Sequence, residues 1–214
     1  MFLPFHSFQT PNILIYFSPF KSELILTPSQ IYQQCIDKQR VVVTGNGSRF
    51  ISLLIQHVLK QYNRKFDYAS DGQEPVIHKG SPTIVIQASL QLLDYKHHIG
   101  ILSDIASGID AKAIEQFADA TPKGGTLIYQ ESDPKVKAIG SKERADIQTI
   151  PYKRYQHEVQ NGITILISST NEKIPVKLSG DLHLQYVSAS KEILKKLGIT
   201  SGQFYRAIGN FEFN

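Results

Sequence analysis

Short unbroken apolar runs alternate with helical stripes through most of the chain. Residues 40–44 (Arg-Val-Val-Val-Thr) form a β-branched run that predicts a buried strand. Ile51, Leu54, Ile55, Val58, Leu59 and Tyr62 then recur at helical spacing, which predicts a helix packing one face on a sheet. The runs 83–88 and 99–102 predict further buried strands, residues 111–120 a helix, and residues 126–129 a strand after Gly124-Gly125. Thr27-Pro28 and Asp133-Pro134 each pair an N-cap with proline at the first helical position. They predict a helix from Pro28 to about Asp37 and a short one after Pro134. From Ile147 to Lys177 the period changes to two: Ile163, Ile165 and Ile167 alternate with Thr164 and Leu166, and Asn161-Gly162 is a hairpin turn. Two or three antiparallel strands are expected there. A helix over 181–197, stopped by Gly198, and a shorter one over 201–208 close the chain. The pattern is that of an α/β fold: a mainly parallel sheet flanked by helices, with an antiparallel extension.

Composition narrows the class. The 214 residues suit one domain. With 41% hydrophobic and 20% charged residues, the chain can form a packed core. Residues 1–22, rich in Phe, Pro and Ser, read as an irregular arm around one strand at 12–17, and residues 23–214 as the domain. No apolar run reaches the roughly 18 residues that span a bilayer. The start lacks the basic region and cleavage site of a signal peptide. The single cysteine, Cys35, reads as a small buried hydrophobe on a helix and fits a reducing cytoplasm. The net charge of +4 is scattered. Lys60, Arg64 and Lys65, like Lys191, Lys195 and Lys196, read as solvated helix faces, and no nucleic-acid motif accompanies them.

One loop invites a chemical reading. A strand, a glycine turn and a helix in succession are the setting in which backbone N–H groups and a helix N-terminus attract phosphate. Thr44-Gly45-Asn46-Gly47-Ser48-Arg49-Phe50 matches the phosphate-loop pattern G-x-x-x-x-G-K-[ST] only in part. By itself the segment reads as a tight strand-to-helix turn.

The wider chain resembles the central, P-loop NTPase-like ATP-binding domain of the Mur ligases, nearest to the muramate–alanine and muramate-tripeptide branch. Residues 30–45 resemble the approach to the family's ATP loop, T/G-G-x-x-G-K-T-T. Phe66-Asp67-Tyr68 falls on the strand after the loop helix, and residues 83–88 fall on V-[IV]-E-[AG]-[DC]-E. Residues 99–105 resemble I-A-[VL]-L-T-N-I, and 117–134 resemble F-x-x-x-x-P-x-G-G-x-L-I-Y-x-x-x-D-P. Residues 180–186 fall on G-x-H-N-L-Q-N, and 197–208 on L-G-I-x-x-x-x-[FI]-x-x-A-[IL]. The resemblance covers roughly residues 23–212. It implies the middle domain of a three-domain ligase. Met1 and the irregular arm favour a natural minimal protein over an excised domain.

The same resemblance implies that the nucleotide site is degenerate. Arg49 stands at the lysine that would hold the phosphates; it keeps the charge but changes the geometry. Phe50 replaces the threonine that would ligate Mg²⁺, and Gln87 replaces a magnesium-binding glutamate. The family histidine after N-I-x-x-D has no counterpart, and Leu182 and His183 replace the His-Asn pair. Asp104 reads as a buried polar group at a strand end or as a remnant of a ligand-facing position. His183 reads as a ligand contact or as a packing or capping residue. Asp133 reads as a cap, and His97-His98 as a surface pair rather than a metal site.

Three functions are expected to compete. The first, favoured by Arg49 and Phe50, is a non-catalytic binding or regulatory module in a cytoplasm that builds cell wall. It would associate with itself or with a cell-wall ligase, the phenylalanine-rich arm covering an exposed face. The second is an ATP-dependent amino acid or peptide ligase, or a nucleotide hydrolase, with an altered site that still takes ATP and Mg²⁺. The third is a basic anion- or nucleic-acid-binding protein, which the lack of interleaved aromatic and basic residues disfavours. No membrane association and no catalytic or metal residue is assigned.

Overall fold

A computed structural model of the chain describes residues 25–105 and 110–213. The expected arm at 1–22, with the strand expected at 12–17, lies outside the described residues. The domain opens with helix α1 (Pro28–Gln34), capped by Thr27 and Gln30 through reciprocal side-chain and backbone hydrogen bonds. Strand β1 (Gln39–Thr44), helix α2 (Ser48–Gln61), β2 (Asp67–Ser70), β3 (Thr83–Gln87) and β4 (Ile99–Leu102) follow. Then come α3 (Ala111–Asp119), β5 (Thr126–Gln130), α4 (Pro134–Gly140) and β6 (Gln148–Tyr152). These six strands form one sheet in the order β2-β3-β1-β4-β5-β6, every pair parallel. The connection from β3 to β4 crosses β1. The carboxyl end of β1 therefore lies where the winding reverses, the usual place for a ligand crevice.

The strands read as continuous apolar runs because both faces are covered. Val41 and Val43 of β1 face a core built with α2 and the C-terminal helices α5 (Asp181–Lys196) and α6 (Ser201–Ile208), while Val42 faces a second core with α1 and α3. Cys35 is fully buried in that second core, the small buried hydrophobe that was expected, though it caps the end of α1 rather than lying within the helix. No helix among the described residues is long and apolar enough to cross a membrane.

Four expectations need correction. The antiparallel extension has three strands, within the two or three expected, but it starts later than Ile147: β6 pairs parallel with β5 at the sheet edge. Only β7 (His157–Gln160), β8 (Ile163–Ile167) and β9 (Lys173–Val176) form the antiparallel sheet, β7 and β8 turning at Asn161-Gly162, both at positive φ. Helix α1 ends at Gln34, before Asp37, because Cys35 leaves helical geometry and the chain turns into β1. Lys191 does not lie on a solvated face: its ammonium is held between two tyrosine hydroxyls. Nor are His97 and His98 a surface pair. Consecutive residues entering a strand point to opposite sides, and His97 points into the α3 layer, 1% exposed, with its ring 4.1 Å from that of Phe117.

Burial pushes the His97 imidazole down to about 3 from 6.5, helped by the neighbouring His98 and Arg40. The folded state therefore keeps His97 neutral while the unfolded chain protonates it below about pH 6.5. Its contribution is complete above that pH and is lost progressively as pH falls towards the folded value. Between pH 7 and pH 5 the expected loss is about 2 kcal/mol. Urea unfolding of the wild type and of His97→Gln at both pH values checks this: the variant is expected to show a shallower decline, and equal slopes would contradict it.

Candidate functional site

The loop follows from how β1 meets β4. Thr44 ends β1, and Gly45 turns away at φ 100°, a left-handed conformation suited to glycine. A β-carbon there would fall 2.2 Å from Ser103 Oγ and 2.3 Å from the Asp104 carbonyl oxygen, so only glycine lets the two strand ends approach this closely. Ser103 bridges them. Its hydroxyl donates to the Thr44 carbonyl at 3.0 Å and accepts the Gly47 N–H at 3.1 Å.

Asp104 completes the enclosure. Asn46 Nδ2 donates to Oδ2 at 2.7 Å, and the Gly47 N–H approaches Oδ1 at 3.3 Å. The Ser48 N–H is taken by the Gly45 carbonyl at 3.1 Å. Helix α2 begins at Ser48 with no side-chain cap of its own, so the Asp104 carboxylate lies beside the positive end of a helix, where a negative charge is favoured. The Tyr186 ring covers the loop from α5: a β-carbon on Gly47 would sit 2.3–2.7 Å from three of its ring carbons. Burial, then the charge and hydrogen bond of Asp104, push the Tyr186 hydroxyl up to about 12, so it stays protonated.

Phe50 is 2% exposed. Its ring stacks on His183 at 5.0 Å and meets Phe211 edge-on at 5.5 Å and Phe213 at 4.9 Å. His183 donates from Nδ1 to the Ser179 carbonyl at 2.8 Å, which ties the ring to the chain just before α5 while its face packs on Phe50. The Arg49 guanidinium lies over the Phe213 ring, 5.5 Å from its centroid. Gln87 ends β3 beside Val43 of β1, and its Oε1 accepts the Tyr68 hydroxyl at 3.1 Å. Leu182 is exposed in the first turn of α5. The structure thus brings residues 45–50 together with Asp104 and His183; Gln87 sits one strand over, at the end of β3 beside β1, and Leu182 is exposed at the start of α5. Sequence reasoning missed Ser103 and Tyr186. Tyr186 occupies the last position of the G-x-H-N-L-Q-N pattern, where its departure from asparagine was the available signal. Among the described residues no three His, Cys, Asp or Glu side chains gather where one metal ion could be held.

Comparison with solved structures gives the fold a name. The chain superposes with a TM-score of 0.68 and 15% identity on UDP-N-acetylmuramate:L-alanyl-gamma-D-glutamyl-meso-diaminopimelate ligase from Neisseria meningitides, over 87% of this chain and 70% of that one. With the MurF ligase of Thermotoga maritima in complex with ADP, the TM-score is 0.66 and the identity 14%, over 87% and 52% of the two chains. Folylpolyglutamate synthetase from Lactobacillus casei gives 0.63 and 10%, over 87% and 66%. No protein-family model and no curated protein sequence matches the chain. The fold is that of the Mur ligase central domain, a parallel six-stranded sheet with flanking helices and a small antiparallel sheet.

Proposed function

We propose that this chain is a Mur-ligase-like domain that acts as a non-catalytic binding or regulatory module, not as an ATP-dependent ligase. The observation that carries the reading is the state of the loop: the Gly47 and Ser48 N–H groups are given to the chain's own Ser103, Asp104 and Gly45, and a carboxylate occupies the helix end where a phosphate would lie. A second anion there would meet the Asp104 charge and the Tyr186 ring. The residues at the family's other positions do not fit Mg²⁺ either. Phe50 offers no oxygen and is buried among aromatic rings, and the Gln87 carbonyl is neutral and already accepts from Tyr68. Phosphoryl transfer depends on positioned charge, and these substitutions remove it together. The likeness to a muramate-peptide ligase and to MurF supports a role beside cell-wall ligases in a cytoplasm that builds cell wall, with a second copy or such a ligase as the partner.

The test is phosphate release from the full chain with ATP and Mg²⁺, with and without muramate-type substrates, beside a nucleotide titration. No turnover above background and no Mg²⁺-dependent gain in affinity are expected. The double change Arg49→Lys with Phe50→Thr is expected to restore nothing, since Gln87 stays neutral and Asp104 stays in the loop. Turnover at ordinary enzyme rates, abolished by changing Arg49, would establish the altered-site ligase instead.

A further inference from the structure

Away from the loop, α5, α6 and the segment after β6 meet around one ammonium. Lys191 Nζ donates to the Tyr155 hydroxyl at 2.8 Å and to the Tyr205 hydroxyl at 2.6 Å, and the two hydroxyls lie 2.7 Å apart. The same ammonium sits 5.2 Å and 4.7 Å from the two ring centroids. Three elements thus hold one half-buried cation in a fixed place. Among the described residues no carboxylate lies within ion-pair distance of it; the adjacent Glu192 pairs with Lys195 instead. A cation withdrawn from water without a counter-charge is costly, and an ammonium has three donors, of which the tyrosines take two.

Lys191 lines a cleft of about 340 Å³ between the end of β6, the end of β8 and α5. Lys153, Arg154, Ser169 and Ser188 line it too. Arg154 is shared with the exposed Asp181 at 2.8 Å, whereas Lys153 has no carboxylate partner among the described residues. Among the described residues, Glu192 supplies the only negative charge on the cleft wall. Burial, then the hydrogen bond it donates to Tyr205, keep the Tyr155 hydroxyl protonated, so it stays neutral beside the ammonium.

We infer that this cleft is a binding site for a small oxyanion, a phosphate group before a carboxylate, with Lys191 as its fixed charge and Lys153 at its rim. Phosphate is the better fit because it carries close to two charges and several acceptor oxygens, matching two cations without carboxylate partners and the Ser169 and Ser188 hydroxyls on the cleft wall. The inference is independent of the loop and of whether the domain catalyses anything.

The test is a titration of the full chain with inorganic phosphate at near-neutral pH and low salt, followed by backbone amide shifts, with succinate as the second arm. Saturable shifts are expected at residues 153–156 and 188–192. Lys191→Met is expected to raise the Kd at least about tenfold, Lys153→Met about threefold, and Lys60→Met, on α2 and outside the cleft lining, to leave it within about twofold. If Lys191→Met fails to fold, Lys153→Met decides on its own, because its side chain is exposed. Absence of saturable shifts, shifts centred on residues 45–48, or an unchanged Kd in Lys153→Met overturns the site. Tighter binding of succinate than of phosphate overturns the phosphate assignment.

Discussion

Phe50→Ala is expected to cost about 3–5 kcal/mol, lowering the thermal midpoint by roughly 10 °C. The residue opens α2, yet its side chain is almost wholly enclosed by His183 and Tyr186 of α5 and by Phe211 and Phe213 of the C-terminal segment. Truncation removes the transfer free energy of a large ring and leaves a cavity that α5 cannot close, because the Tyr186 ring is already seated on Gly47. Phe50→Thr is expected to do nearly as badly, since it adds a hydroxyl to an aromatic setting. Urea unfolding should show a lower midpoint at unchanged slope. A Phe50→Ala chain within about 1 kcal/mol of wild type would mean that the aromatic cluster is dispensable. The position that reads as a lost metal ligand is, in this fold, a packing anchor.

The second large effect is expected from Lys38→Met, again about 3–5 kcal/mol. Lys38 is 5% exposed and Asp67 fully buried, and the two form an ion pair between the starts of β1 and β2. The ammonium also donates to the His78 carbonyl at 2.8 Å, and Asp67 accepts the His78 N–H at 3.0 Å. Removing the lysine leaves a buried carboxylate without its counter-charge, which costs more than the pair itself was worth. Burial works to raise the Asp67 carboxyl, but the bonds from Lys38, His78 and Ser81 outweigh it and hold the group below its ordinary value. In the wild type this contribution is present above the ordinary carboxylate range and is lost as pH falls through the lower folded value. Without Lys38 the folded value rises, so the deficit should narrow in mild acid as Asp67 becomes neutral. Lys38→Met with Asp67→Asn should recover part of the loss at neutral pH, because an amide needs no counter-charge. A pH-independent deficit that the double variant does not reduce would rule out the charge explanation.

What could be read from the chain alone was what is local. The runs at 40–44, 83–88 and 99–102, the stripe from Ile51 to Tyr62 and the caps at Thr27 and Asp133 lie within a residue or two of the observed elements. Periodicity and capping are properties of neighbours in sequence, and the physics that sets them acts over a few residues. The strand–glycine–helix order likewise placed the loop at a strand end. The packing of layers decided everything that joins distant segments. Period two in residues 148–152 is equally compatible with a parallel edge strand and an antiparallel one, and only docking against β5 selects the first. His97 became a core residue because α3 covers that side of the sheet. Lys38 found Asp67 across 29 positions, and Asn46 found Asp104 across 58. Lys191 met two tyrosines from separate elements. A single charged residue carries no sign in the sequence of which partner the fold will bring to it; that is set by which faces pack, and it is there that the Gly45–Ser48 loop found Ser103 and Asp104.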